Sequence, residues 1–222
     1  DPSTNVVVSG GGSVSPSTII ELPGTTSLFG AIVTQVHYHW RNDDGDQSGA
    51  TSATGGVEDT PLENFAKTSP IRLRLALSNE GATSSLPKRY GLEFGIKATT
   101  CDVVATWTDV DAFTNDSWDL IDTANLNHGD DTIDISNGIG GVSNEESFLV
   151  TPNGSILETD SFSPTTTISD TEFLELEYSL TSTGNTPNET DFCFRMTQDG
   201  QPLVAYDVYP EVTTTAKRDF FI

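Results

Sequence analysis

Short runs in which apolar and polar residues alternate recur along the chain, and they predict β-strands. The alternating runs are Ile71–Leu75, Tyr90–Ile96, Leu174–Leu180 and Val204–Val208, and Phe192, Phe194 and Met196 repeat the spacing. Because successive side chains of a strand point to opposite faces, we expect each run to bury one face and expose the other. Helical periodicity does not persist, so short helices near Thr60–Phe65 or Asp116–Ala124 are the most that the pattern allows.

Gly, Pro, Asn, Asp and Ser bound these runs, and such residues favour turns. We therefore predict an all-β fold, an antiparallel β-sandwich of jelly-roll or immunoglobulin-like kind. Residues 14–222 are expected to form this single domain, which is long enough to bury a sizeable core. The stretches 109–134 and 138–164 are expected to be long surface excursions from the sandwich.

The start of the chain has a different composition from the rest. A glycine-rich segment, Ser9–Ser13, separates a short β-branched piece from everything that follows. We predict that residues 1–13 form an extension strand with a glycine linker, because glycines give the backbone freedom to reach a neighbour. Pairing with the domain's own sheet edge and a mobile tail are the alternatives. The candidate assembly residues are Asn5, Val6, Val7 and Val8.

The chain is strongly acidic, with 33 acidic and 10 basic residues and a formal charge of -23. A field of this sign repels phosphate backbones and anionic membranes, so we expect no nucleic-acid partner. It indicates a strongly hydrated surface, with cation capture as the alternative. No apolar run approaches the roughly 18 residues of a membrane span, so we expect no membrane insertion. The start at Asp1 favours a mature secreted chain, located outside the cell or on its surface.

Two cysteines, Cys101 and Cys193, are separated too widely to form a CxxC motif. In a secreted chain, two such cysteines predict one long-range disulfide bond. Three acceptor sequons, at Asn115, Asn153 and Asn188, are compatible with that location and are candidate glycosylation sites.

The run from Val36 to Gly49, VHYHWRNDDGDQSG, places two histidines next to an acidic cluster. If it begins as a strand, Val36, Tyr38 and Trp40 share the buried face, and the other face carries His37, His39 and Arg41. Two histidines one residue apart can bind zinc or copper, but a third ligand is required, and His128 is the remaining histidine. The pattern favours polar strand-face histidines over a metal site.

The acidic residues that follow, Asp43, Asp44 and Asp46, are weak candidates for calcium ligands. Their spacing is not that of an EF-hand loop, and a turn accounts for them better. The sequence has no nucleophile elbow, no HExxH motif and no glycine-rich phosphate loop. We therefore expect a protein that is not an enzyme and that needs no cofactor, apart from this candidate calcium.

Several of these runs resemble an uncharacterised family of secreted bacterial cell-surface β-sandwich domains, whose usual opening is Tyr-Arg-Trp-Arg-Asn-Asp-Asp-Gly. The similar runs are Tyr38–Gly45, Glu58–Thr60, Ile71–Leu75, Tyr90–Phe94, Cys101 with Trp107, and Phe192–Arg195. This chain has His39 where the family has arginine. The resemblance implies a β-sandwich with a Cys101–Cys193 bridge, found on large or multidomain surface proteins, and it implies no known reaction.

These features together predict a structural protein, a subunit of an extracellular filament or surface assembly. Its partners would be copies of itself, joined when the N-terminal strand of one subunit is donated to the next. The alternative is an adhesin or carbohydrate-binding sandwich with a glycan ligand. Candidate exposed aromatic residues for that role are Trp118, Tyr209, Phe220 and Phe221.

Overall fold

The computed structural model describes residues 30–110, 116–135, 137–149 and 155–215. The predicted donor strand, the sequons at Asn115 and Asn153, and Phe220 and Phe221 lie outside these ranges. Within them, thirteen β-strands and two short 3-10 helices are formed and there is no α-helix. Among the same residues, no helix has the length and apolar character that crossing a membrane requires.

The strands are numbered in chain order. They are β1 (Val33–Arg41), β2 (Leu62–Ala66), β3 (Pro70–Asn79), β4 (Tyr90–Ile96), β5 (Thr108–Asp109), β6 (Trp118–Leu120), β7 (Ser147–Phe148), β8 (Ile156–Leu157), β9 (Glu172–Ser182), β10 (Asp191–Gln198), β11 (Gln201–Pro202), β12 (Ala205–Tyr206) and β13 (Glu211–Thr215). The 3-10 helices span Cys101–Val103 and Asn137–Ile139.

Two sheets pack against each other, which confirms the all-β prediction. The first sheet has the order β12-β1-β3-β9-β6, with β7 and β8 also paired to β9. The second has the order β2-β13-β10-β4-β5, with β11 paired to β10. The long central pairs, such as β1 with β3 and β3 with β9, are antiparallel.

The predicted antiparallel direction holds for the long central pairs but not for every strand. β12 runs parallel to β1, β7 and β8 run parallel to β9, and β2 runs parallel to β13. These parallel strands are two to five residues long. A tight hairpin forces antiparallel pairing, but a long connection can bring a short segment to a sheet edge in either direction.

An aromatic core lies between the two sheets. Trp40 of β1 meets Phe194 of β10 edge to face, with ring centroids 5.5 Å apart. Trp118 of β6 contacts Phe192 and Phe194 in the same way, at 5.8 and 5.2 Å. All four side chains are fully buried. Trp118 is therefore a core residue, and its prediction as an exposed aromatic is wrong.

The alternating sequence pattern predicted the position of some strands correctly and of others incorrectly. Tyr90–Ile96 coincides with β4, and the runs from residues 71 and 174 lie within β3 and β9. Val204–Val208 contains only the two-residue strand β12, and Val204 is 81% exposed. The two helices that the pattern allowed do not form, since β2 and β6 occupy those positions.

The expectation that each strand exposes one face is wrong for the first sheet. Both faces of β3 and β9 are buried, including the charged residues at 72, 74, 175 and 177. The described parts of the predicted excursions cover this outer face, where Ile133 O accepts a hydrogen bond from Arg74 and Gly141 O accepts one from His39. Leu126 and Val142 of these segments are themselves buried, as is Ile135 between them.

A β-bulge in β1 changes which of its residues face the core. The register against β3 shifts between Gln35 and His37, so that Val36 is the extra residue. Val36 joins a small cluster on the outer face, whereas Tyr38 and Trp40 belong to the main core. The prediction that these three share one face is therefore wrong for Val36, because a bulge reverses the alternation that precedes it.

Candidate functional site

Five charged side chains meet under the excursions, and we call them the buried ion cluster: Arg41, Arg72, Arg74, Glu175 and Glu177. Arg41 Nη1 donates to both oxygens of Glu177 at 2.8 Å, and Arg74 Nη1 donates to Glu177 at 2.6 Å. Arg74 Nε donates to Glu175. The strand register places them together, since residue 41 pairs with 72 and residue 74 with 177. All five are fully buried, so the cluster is a structural element and not a binding surface.

The acidic turn that follows β1 contributes Asp43 as a partner for Arg72 of this cluster. Asp43 Oδ1 accepts hydrogen bonds from Arg72 Nε at 2.9 Å and Nη2 at 2.5 Å. Asp44 instead accepts from the backbone and hydroxyl of Thr51, and Asp46 accepts from residues 48 and 49. Each carboxylate thus has its own partners within the fold. Calcium binding by these three residues stays a prediction.

A second group of charged residues is partly exposed and centres on His37 in β1. His37 Nδ1 lies 2.6 Å from Asp59 Oδ2 and 4.0 Å from Glu58 Oε2. His37 Nε2 lies 2.6 Å from Glu145 Oε1. Among the described residues, His37, Glu58 and Asp59 form a group whose ligand atoms all lie within 4.8 Å of one another. We call these three residues the His37 site.

The electrostatics of the His37 site follow from its carboxylates. The hydrogen bond with Asp59 raises the pKa of His37 to about 9, against the opposing effect of burial and with help from Glu145. Burial acts to raise the pKa of Glu58, but hydrogen bonds from Ser143 and Asn137 together outweigh it, so this pKa is lowered. The site is therefore rich in negative charge and holds its histidine between two acidic partners.

The other two histidines do not join this site. His39 is fully buried, its Nδ1 donates to Gly141 O at 2.7 Å, and its Nε2 accepts from Ser52 Oγ at 2.7 Å. Burial lowers the pKa of His39, which favours this neutral form. His128 is exposed and accepts the backbone N–H of Glu158 at 3.1 Å. His37 and His39 therefore lie on the same face of β1, but only His37 belongs to the His37 site.

The carboxylates that reach His37 were missed by sequence reasoning. Glu58 and Asp59 appear in the sequence only as part of a run shared with a family, with no spacing that links them to β1. The loop that carries them returns along β1, where Asp59 N–H donates to Tyr38 O at 2.9 Å. Asp59 has a φ of 52°, a left-handed conformation that aspartate tolerates better than most residues. The one feature of the sequence that could have pointed to them is that Glu58 and Asp59 are two adjacent acidic residues in a loop.

Strand β2 is a candidate assembly edge at one end of the second sheet. It pairs with β13 on one side, and within the described part of the chain no strand pairs with its other side. Leu62 and Phe65 point into the core, and Phe65 stacks on Trp118 at 5.6 Å. Asn64 has a φ of 58°, which interrupts the alternation between these two anchors. The strand is thus held firmly while its outer edge stays open.

An aromatic group outside the core was the other candidate surface. Tyr209 stacks on Tyr206 with centroids 5.0 Å apart and on Trp107 at 6.2 Å. The guanidinium of Arg195 lies 4.4 Å from the centre of the Trp107 ring. These rings are directed at one another and at a cation, so they do not form a row of separate open faces.

The disulfide predicted between Cys101 and Cys193 is present. It joins the first 3-10 helix to β10, and Val104 packs beside it. The fold and these sites define an all-β, disulfide-bridged domain of two mixed sheets. No family model, no curated protein and no solved structure matches the chain. The resemblance to bacterial surface domains stays a prediction, and the function has to be inferred from the molecule itself.

Proposed function

We propose that this chain is a non-enzymatic structural subunit of an extracellular assembly, built on a sandwich of jelly-roll or immunoglobulin-like kind. In this proposal, residues Asn5–Val8 of one copy add as a strand to a sheet edge of the next copy. The open outer edge of β2 is the observation that carries the proposal. Strand addition satisfies exposed backbone groups and gives affinity without a deep pocket.

The anchoring of β2 supports its assignment as the acceptor. An acceptor edge must stay extended before the partner arrives, because ordering it on binding would subtract from affinity. Leu62 and Phe65 fix β2 to the core, and Thr215 Oγ1 donates to Phe65 O at 3.3 Å. The outward residues Glu63, Asn64 and Ala66 are exposed, so none of the described residues would stand in the way of a neighbouring strand there.

An extracellular location is supported by the disulfide, which favours an oxidising compartment. The sequon at Asn188 lies in an exposed turn, where a glycan would be accommodated. A surface of charge -23 also favours subunits that stay soluble until they assemble. A glycan-binding module is the weaker proposal, because Trp118 is buried and Tyr209 is stacked among its neighbours.

Cysteine cross-linking tests strand donation between copies. One chain carries Val7→Cys, and a second, differently tagged chain carries Ala66→Cys on β2. Because the native cysteines are already paired, each variant adds one reactive thiol. Mixing the two chains under mild oxidation should give a disulfide-linked heterodimer within minutes, since pairing holds the two thiols adjacent.

The matched control replaces Ala66→Cys with Gln201→Cys, an exposed position on β11 at another place in the second sheet. This control should cross-link at least tenfold more slowly. Equal cross-linking rates for Ala66→Cys and Gln201→Cys would contradict the assignment of β2 as the acceptor edge. A double variant, Val7→Cys with Ala66→Cys, that closes only within one chain would support self-pairing and contradict donation.

A further inference from the structure

One histidine and two carboxylates around β1 lie close enough together to hold one metal ion. We propose that His37 Nδ1, Glu58 and Asp59 bind a divalent first-row transition metal ion, with zinc as the representative. The three ligand atoms lie within 4.8 Å of one another, which one ion can span with small side-chain movements. The ligands come from β1 and from the loop that returns along it, so the ion would join the two segments.

The surroundings of each ligand strengthen this inference. A metal-bound histidine usually donates its second ring N–H to a carboxylate, which fixes the ring and its tautomer. His37 has this arrangement, since Nε2 lies 2.6 Å from Glu145 Oε1 while Nδ1 faces the other two carboxylates. Without an ion, both nitrogens of His37 lie 2.6 Å from a carboxylate oxygen, so an ion bound at Nδ1 would displace the hydrogen shared with Asp59, as metal binding releases protons from its ligands.

The two carboxylates are held in the same way. Asp59 Oδ1 accepts the backbone N–H of Tyr38 at 2.8 Å, which leaves Oδ2 directed at His37. Glu58 Oε2 accepts the backbone N–H of Ser143 at 2.7 Å, and Oε1 accepts from Asn137 at 3.2 Å. Both ligands are therefore oriented before an ion arrives, which lowers the entropic cost of binding it.

The ligand set selects the class of ion. One imidazole nitrogen with two carboxylates suits zinc or manganese, whereas calcium prefers ligands that are all oxygen. The side chains of His37, Glu58 and Asp59 are 20%, 18% and 25% exposed, so water can reach the ion and complete its coordination. No reaction is assigned to this water; the ion would fasten the 51–59 loop to β1.

Zinc titration of the full chain by calorimetry tests the site. The buffer contains about 0.15 M salt and excess calcium, because the acidic surface attracts cations without specificity. We expect one zinc ion per chain. His37→Ala should weaken binding at least about 100-fold, and Glu145→Gln should weaken it by about tenfold, as loss of a supporting partner does. X-ray absorption should show one imidazole nitrogen on zinc.

The matched control is His128→Gln, which removes an exposed histidine outside the site and should bind zinc as the native chain does. Circular dichroism of each apo variant establishes folding, and Glu58→Gln replaces His37→Ala if the latter does not fold. Failure of the native chain to bind zinc or manganese below 1 mM, a limit set at roughly the weak end of specific binding, overturns the proposal. Equal binding by His37→Ala and His128→Gln overturns it as well.

Discussion

At the scale of single residues, Glu177 is the carboxylate of the buried ion cluster that lies near the most arginines. It accepts hydrogen bonds from Arg41 and Arg74, and Arg72 Nη1 lies 3.6 Å away. Glu175 bonds only Arg74 among the arginines, and its Oε1 has no hydrogen-bond partner. Glu175 and Glu177 lie on the same face of β9, but Glu177 has more arginine partners than Glu175. The sequence alone does not distinguish the two residues.

Substitution of each glutamate by its amide should separate these roles. Glu177→Gln should lower the free energy of unfolding by about 3–5 kcal/mol, because it leaves buried guanidinium groups without a counter-charge and turns an N–H₂ group toward them. Glu175→Gln should leave it unchanged or raise it at pH 7, since the amide keeps one acceptor oxygen and removes a buried carboxyl group whose ionisation costs stability. Urea unfolding at pH 7 measures both. The reverse order would mean that Glu175 is the main counter-ion.

The pH dependence of stability should report Glu175 directly. Burial raises its pKa to about 7, and the charge and hydrogen bond of Arg74 oppose this effect without cancelling it. The ordinary value is 4.5, so the folded state binds the proton more tightly than the unfolded state. Its contribution to stability is complete below pH 4.5 and is lost as the pH rises to about 7.

Relative to Glu175→Gln, the native chain should therefore lose up to about 3 kcal/mol of stability between about pH 4.5 and 7.5. Urea unfolding of both chains across this range gives the difference at each pH. A difference that does not change with pH would show that Glu175 stays ionised when buried.

At the scale of elements, the alternation of residues predicted the central strands because their inner faces carry large apolar side chains. β4 and the interiors of β3 and β9 were found for this reason. The outer face could not be predicted, since polar residues look the same whether they meet water or buried partners. The covering segments have no period of their own, so nothing in them indicates that they pack on Arg74 or His39.

Short-range sequence patterns also explain why only part of the His37 site could be predicted. His37 and its place on a strand were predictable, because β1 begins with an apolar run and ends at a turn. The arrival of Glu58 and Asp59 depends on how the intervening loop returns along β1, which short-range patterns do not contain. A bulge at Val36 adds a further change of face that alternation alone does not indicate.

The Cys101–Cys193 bridge should stabilise the element it joins and the fold as a whole. The two residues are 92 positions apart, and a crosslink of this length restricts the unfolded chain by about 4–5 kcal/mol in the chain-entropy model. Replacing both cysteines by alanine should lower the unfolding free energy by a comparable amount. The intact native chain should show no alkylatable thiol in mass spectrometry, and two free thiols without reduction would contradict the bridge.

At the scale of the whole molecule, the far side of β9 in the first sheet and the outer side of β2 in the second sheet are finished differently. β9 is lined by three short strands, whereas β2 ends the second sheet with its outer side unpaired in the described residues. An open edge on a well-anchored strand is a liability for an isolated protein, because it invites pairing with any other chain. In the proposed function, strand donation would convert that liability into a specific junction.

Deletion of Asp1–Gly12 tests this junction. Burial of two valines would contribute about 3–6 kcal/mol, and each backbone hydrogen bond would add about 1 kcal/mol. Loss of both should abolish polymers and leave a folded monomer with an open β2 edge. A synthetic peptide of residues 4–10 should bind the truncated chain and raise its melting temperature, and a peptide with Val7→Pro should not, because proline removes a backbone donor.

Size-exclusion chromatography and electron microscopy of the intact and truncated chains decide between the models. If the N-terminal segment pairs within its own domain, truncation should destabilise the monomer and the intact chain should never form filaments. If donation holds, the intact chain should form regular filaments, and the truncated monomer should keep its cooperative unfolding, since Trp40, Phe192 and Phe194 belong to one buried core within the described residues. Filaments from the truncated chain that match those of the intact chain would exclude donation from this end.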